Sequence, residues 1–186
     1  MGCPNHTLQP MSSPEYWLRG PLPGVDPYLM PAAHALMQSS DDIERAAHAL
    51  NVEQLWIKPG GAASAGFHLQ HIAGSIDRLL TYARGESLSD AQFAALRREQ
   101  DAGDPPDDAA TLLQQAQQSI HSALDVLRAT PRDSLLQPRV VGRSRLPTSV
   151  LGLLVHVAEH TQRHTGQLIT TAKVITALAQ IAQQAR

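Results

Sequence analysis

Two imidazoles four residues apart stand in the stretch Glu159-His160-Thr161-Gln162-Arg163-His164-Thr165-Gly166-Gln167. On a helix, residues i and i+4 share a face one turn apart, and two imidazoles so placed can grip one divalent metal ion. A pair is not a site, and the HxxxH spacing alone more often marks ordinary surface or core histidines. A third donor is needed. The best candidate is His71, far back in the chain in a second helical segment, with His68 three residues earlier on the same face. Three protein ligands with positions left for water make the catalytic arrangement of a metal ion, not the closed structural one.

The neighbours of these residues place them at the edge of an apolar face. Leu153, His156, His160, His164 and Gln167 follow one another at helical steps, and Val157 and Leu168 beside them should face the core. A buried imidazole must satisfy both ring nitrogens. A metal ion serves one of them, and a carboxylate or carbonyl usually serves the other. His156, one turn before His160, and His34, in the first helical segment, are candidates to line the same cavity and assist proton transfer. His48 and His121 read as surface positions, Glu159 as solvated, and His6 has no assigned role. A glycine within a helix costs about 0.5–1 kcal/mol against alanine. A close helix–helix approach would justify both Gly74 and Gly166. Asp77 and Arg78 are expected as an exposed pair, with a buried pair as the alternative. Arg139, Arg143 and Arg145 are expected to be solvated, with capture of an anionic substrate group as the alternative.

The elements that must position these groups are helices. The periodicity predicts a first helix over about Tyr28–Leu50, with Pro31 in its first turn. Pro59-Gly60-Gly61 breaks the chain, and Ser64 caps a second helix over about Ala65–Arg84, ended by Gly85. Ser89 and Gln92 form a capping-box pattern for a short helix over about Asp90–Gln100. After Gly103-Asp104-Pro105-Pro106 a third long helix runs over about Asp107–Ala129, with both aspartates at its positive end. Thr130–Pro147 reads as irregular, with a small hairpin around Val140-Val141-Gly142-Arg143. A fourth long helix starts at Thr148 or Ser149 and ends near Gln183. The expected fold is all-α: an antiparallel four-helix bundle over residues 28–186 with one short extra helix, preceded by an irregular N-terminal arm over residues 1–27. Tyr16, Trp17 and Leu18 would anchor that arm by packing on the helices.

Composition narrows the function classes. The chain has 186 residues, enough for one sizeable core, and a net charge of −2 with mixed signs. No basic surface argues for nucleic acid or an anionic membrane. No apolar run of ~18 residues predicts a transmembrane helix, and Met1–Met11 lacks the basic and apolar regions of a signal peptide. The single cysteine, Cys3, excludes an internal disulfide framework and suits a reducing, cytoplasmic setting. No nucleophilic cysteine or Ser-His-Asp pattern is legible.

The segments Phe67-His68-Leu69-Gln70-His71-Ile72-Ala73-Gly74-Ser75-Ile76-Asp77-Arg78-Leu79, Tyr82-Ala83-Arg84-Gly85-Glu86 and His160-Thr161-Gln162-Arg163-His164-Thr165-Gly166-Gln167-Leu168 together resemble the DinB/YfiT-like family of metalloenzymes. The resemblance implies a four-helix bundle that holds a metal with one histidine of the second helix and two of the fourth, here His71, His160 and His164. His68 is then not expected as a ligand. It further implies zinc or nickel as the ion, a homodimer, a small-molecule substrate, and transfer of a low-molecular-weight thiol to an electrophile or a thiol-dependent isomerisation; the metal ion by itself also suits hydrolysis. The alternative is a metal-binding stress- or damage-inducible protein without turnover.

Overall fold

The computed structural model describes residues 13–185; Cys3 and His6 fall outside them. Six helices and one hairpin make up the described chain: α1 (Met30–Ala47), α2 (Val52–Trp56), α3 (Ala65–Ala83), α4 (Asp90–Arg98), α5 (Ala109–Ala129), strands β1 (Pro138–Val141) and β2 (Leu146–Ser149), and α6 (Val150–Gln184).

Local chemistry explains most boundaries. The Ser64 hydroxyl accepts from the Phe67 amide at 3.1 Å and opens α3. Ser89 and Gln92 exchange both bonds of a capping box at the start of α4. The Asp108 carboxylate accepts from the Thr111 amide at 2.8 Å, so α5 begins one residue beyond this cap rather than at Asp107. Gly85, at φ +84°, ends α3 in a left-handed turn. α2 was not expected. Asn51 caps it with Gln54 three residues on, in a reciprocal capping box. The same signal read at Ser89 was therefore present here, on an element too short to show a period. The Trp56 indole closes this corner: its N–H donates to the Asp107 carbonyl at 3.0 Å, and a Cβ at Gly66 would stand 2.9 Å from its ring.

α1 and α3 each pack against both α5 and α6. The shared core contains Leu36, Ile43, Leu69, Ile72, Leu112, Ile120, Leu124, Leu154 and Leu168. α4 lies outside this packing and meets it through α3; the hairpin rests on α3 through β1 and on α6 through β2. The strands pair antiparallel, Val141 opposite Leu146 and Pro138 opposite Ser149, so the predicted small hairpin is longer than its Val140–Arg143 centre.

The N-terminal segment is held differently from the expectation. Trp17 and Leu18 remain exposed, at 64% and 57%. Val25 is buried and Leu22 packs against the core instead. Arg19 lies over the Tyr16 ring, occupying the aromatic face with a cation.

Leu124 is buried on α5, which carries none of the three histidines that converge between α3 and α6. Leu124→Ala is expected to lower the unfolding free energy by about 2–5 kcal/mol, read from urea denaturation, while leaving metal affinity unchanged.

Candidate metal centre

α3 and α6 are stiff, adjacent rods, and each presents histidines to the other. His71 on α3 and His160 and His164 on α6 converge: one ring nitrogen from each lies within 4.8 Å of the others. His71 Nε2 stands 3.0 Å from His160 Nε2. Ring centroids are 4.3 Å apart for His71 and His164 and 4.6 Å for His160 and His164. Phe67, one turn before His71, stacks on its ring at 5.2 Å and 16°. It meets the rings of His68 and His164 edge-on. Phe67 was legible in the sequence only as a core position.

The donor set fits a divalent cation. Three imidazoles converge in the pattern borderline-soft ions accept. The 3.0 Å nitrogen separation is close to the roughly 3.3 Å between two nitrogens on a tetrahedral ion with bonds of about 2.0–2.1 Å. His160 Nδ1 is buried without a hydrogen-bond partner, so this ring's interactions depend on what its Nε2 meets.

The electrostatics keep the lone pairs available. Burial pushes His164 down to about 3, helped by neighbouring His71, His160, His68 and Arg163. Burial and then the neighbouring His71 likewise lower His160 to about 4, with His156 and Arg163 adding to this and Glu159 opposing it. His68 falls to about 4, again through burial first and His71 second. At neutral pH these three rings are uncharged, the form that binds metal.

The surrounding residues divide clearly. His68 is buried, and its Nδ1 lies 3.2 Å from His164 Nδ1. It also borders a cavity of about 480 Å³ shared with Arg163, Gly166, Gln167 and Thr170. On the other side, His71 and His160 open into a cleft of about 320 Å³ walled by Leu79, Tyr82, Leu88, Phe93 and Leu96. His156 borders this cleft, exposed, with its Nδ1 2.8 Å from Glu159. His34 does not reach it: its Nε2 lies 2.9 Å from the Gly20 carbonyl, and the ring ties the N-terminal segment to α1. His48 and His121 are exposed.

Several side chains around the site are settled by tertiary contacts. Arg78 is buried and its partner is Glu99, at 2.5 Å, while exposed Asp77 accepts from Gln92. Glu99 also meets His71 Nδ1 at 2.6 Å. Sequence reading passed over Glu99 because it falls at the charged end of a short, surface-patterned helix. The one signal available was an unmatched buried arginine, legible only once Arg78 is known to be inside. Gly74 stands where the C-terminal end of α4 meets α3: a Cβ there would collide with Glu99 Oε1 and stand 2.7 Å from Arg78 Nη1. Gly166 has open space where a Cβ would be, so no close approach requires it. Arg139 donates to the Ala83 carbonyl at 2.7 Å, and Arg143 lies over Phe93, 5.7 Å from the ring centroid, beside the cleft.

A family model of the DinB superfamily matches residues 35–168, which span α1 through the histidines of α6. The chain belongs to this superfamily. No curated protein matches it.

His160→Ala is expected to abolish stoichiometric binding of a divalent ion in isothermal titration. His71→Ala should do the same, and retained affinity there would remove His71 from the donor set. The depressed histidines also set a pH dependence. The unfolded chain takes up protons below the ordinary histidine value of 6.5, whereas folded His160 and His164 resist to about 4 and about 3. The unfolded state then binds more protons, so stability falls as pH drops through this window. Urea titrations of chelator-treated protein should give less stability at pH 5 than at pH 7.5, with a smaller difference in His164→Asn.

Proposed function

For this member of the DinB superfamily we propose a metal-dependent enzyme that holds one divalent ion with His71, His160 and His164 and acts on a small molecule. The observation that carries this reading is a donor set of three imidazoles, two of which open into a cleft. A structural or storage ion is closed by a fourth protein ligand. The nearest further imidazole, His68, is instead engaged with His164 Nδ1.

When bound, the ion supplies Lewis acidity and lowers the pKa of a water or thiol beside it. The chain's own residues do the rest. The apolar cleft wall limits water and orients a substrate body against the imidazoles. Arg78, the one cationic side chain among the lining residues, is paired with buried Glu99. His156 lines the cleft with its Nδ1 held by Glu159, so its other nitrogen is the group available to carry a proton. The described residues contain no cysteine. In a thiol transfer, the sulfur would therefore come from a low-molecular-weight thiol co-substrate; hydrolysis is the second chemistry this site suits. The scaffold we propose is the antiparallel four-helix bundle of the superfamily, built from α1, α3, α5 and α6, with zinc or nickel as the ion, acting as a homodimer in the cytoplasm. No helix of the described residues is long and apolar enough to cross a membrane.

The competing reading is a metal-binding stress protein without turnover, and an assay separates the two. Chelator-treated protein reloaded with zinc or nickel is mixed with several low-molecular-weight thiols and an activated aryl halide, or with ester substrates in water. Turnover is expected to return with about one ion per chain. It should fall at least 100-fold in His160→Ala while circular dichroism stays helical. One tightly held ion with no turnover in any arm would favour the non-catalytic reading.

A further inference from the structure

Glu99 has an anomalous place in the chain. It caps the C-terminal end of α4, a helix with no buried residue of its own, yet Glu99 is only 6% exposed. Burying a carboxylate is costly unless each oxygen is satisfied. Here both are: Oε1 accepts from Arg78 Nη1 at 2.5 Å, and Oε2 lies 2.6 Å from His71 Nδ1. The missing side chain of Gly74 is what lets the pair settle against α3.

The chemistry of the partners then dictates the histidine's form. Glu99 Oε2 is an acceptor, so His71 must carry its single proton on Nδ1. Its Nε2 is left as a bare lone pair, and that is the atom turned toward His160. Among the three converging rings, His71 alone has a carboxylate behind it: His164 Nδ1 meets another imidazole, and His160 Nδ1 meets nothing. Phe93 and Leu96, six and three residues before Glu99 on the same face of α4, form part of the cleft wall.

We propose that Glu99 is a positioning residue for metal capture. It locks His71 in the Nδ1–H tautomer and in its ring orientation, with Arg78 holding the carboxylate in place. α4 thereby supplies the site with both a cleft wall and the group that prepares its third ligand. This inference rests on the three histidines being the ion's donor set, but the tautomer it assigns is a property of the protein without the ion.

The decisive variant is Glu99→Gln. Arg78 can only donate, so it claims the amide oxygen and turns the NH2 toward His71 Nδ1. The ring must then accept at Nδ1 and carry its proton on Nε2, the reverse of the wild type. Nitrogen-15 NMR of metal-free protein should find His71 protonated on Nδ1 in the wild type and on Nε2 in Glu99→Gln. Titration with Zn2+ alone should show affinity reduced by about 10–100-fold in the variant, with the thermal midpoint reported alongside. Wild-type His71 protonated on Nε2 would overturn the inference without any variant being needed. So would a Glu99→Gln protein with wild-type tautomer and wild-type Zn2+ affinity, leaving Glu99 as a clamp between helices. A wild-type protein that takes up no Zn2+ would instead sink the functional reading on which the inference rests.

Discussion

Four imidazoles and a carboxylate packed against one another between helices, partly withdrawn from water, are the constraint from which the rest follows. Each buried nitrogen needs a partner, and a neutral imidazole brings only one proton to share. His68, His71, His160 and His164 face one another more than they face donors or acceptors of other kinds. Such a cluster is unfavourable as ordinary core, because desolvation already holds three of its rings well below their usual protonation range. A cation between the converging lone pairs would give those nitrogens the partner they lack.

Rigid elements make that arrangement possible. α3 and α6 are both anchored in the core on their apolar faces, by Leu69 and Ile72 on one and Leu154, Val157 and Leu168 on the other. The histidines occupy the seam beside those faces. Thr161 and Thr165, buried on α6 between and beside the ligands, return their hydroxyls to the carbonyls of Val157 and Thr161 and so demand nothing from the seam. Phe67 fills the remaining space with a ring stacked on His71. Ligand positions are thus set by packing before any ion arrives, which reduces the ordering cost of binding.

The peripheral elements do different work. α4 and the hairpin contribute little to the core, yet α4 brings Phe93, Leu96 and Glu99 to the site, and the hairpin turn brings Arg143 to the face of Phe93. The central helices hold the metal ligands, while the additions outside them shape what can approach. Variation in α4 and the hairpin would therefore alter the shape of the cleft with small effects on the core.

Helical periodicity, cap residues and the spacing of His160 and His164 were readable along the chain because they are local: each depends on residues within one or two turns. The start of α3 at Ser64 and the capping box at Ser89 belong to the same class, and Asn51 would have joined them had a five-residue helix been long enough to show a pattern. His71 stood out from its place on an apolar helix face, and resemblance to a family favoured it over His68, since nothing in a linear sequence measures the distance between positions 71 and 160. Whether Arg78 pairs with its neighbour Asp77 or with Glu99, whether His34 faces a cavity or the Gly20 carbonyl, and why Gly74 is a glycine were decided only by tertiary structure. Those outcomes turn on which side chains are excluded from water together, and that exclusion is a property of how helices pack, invisible in the order of residues along any one of them.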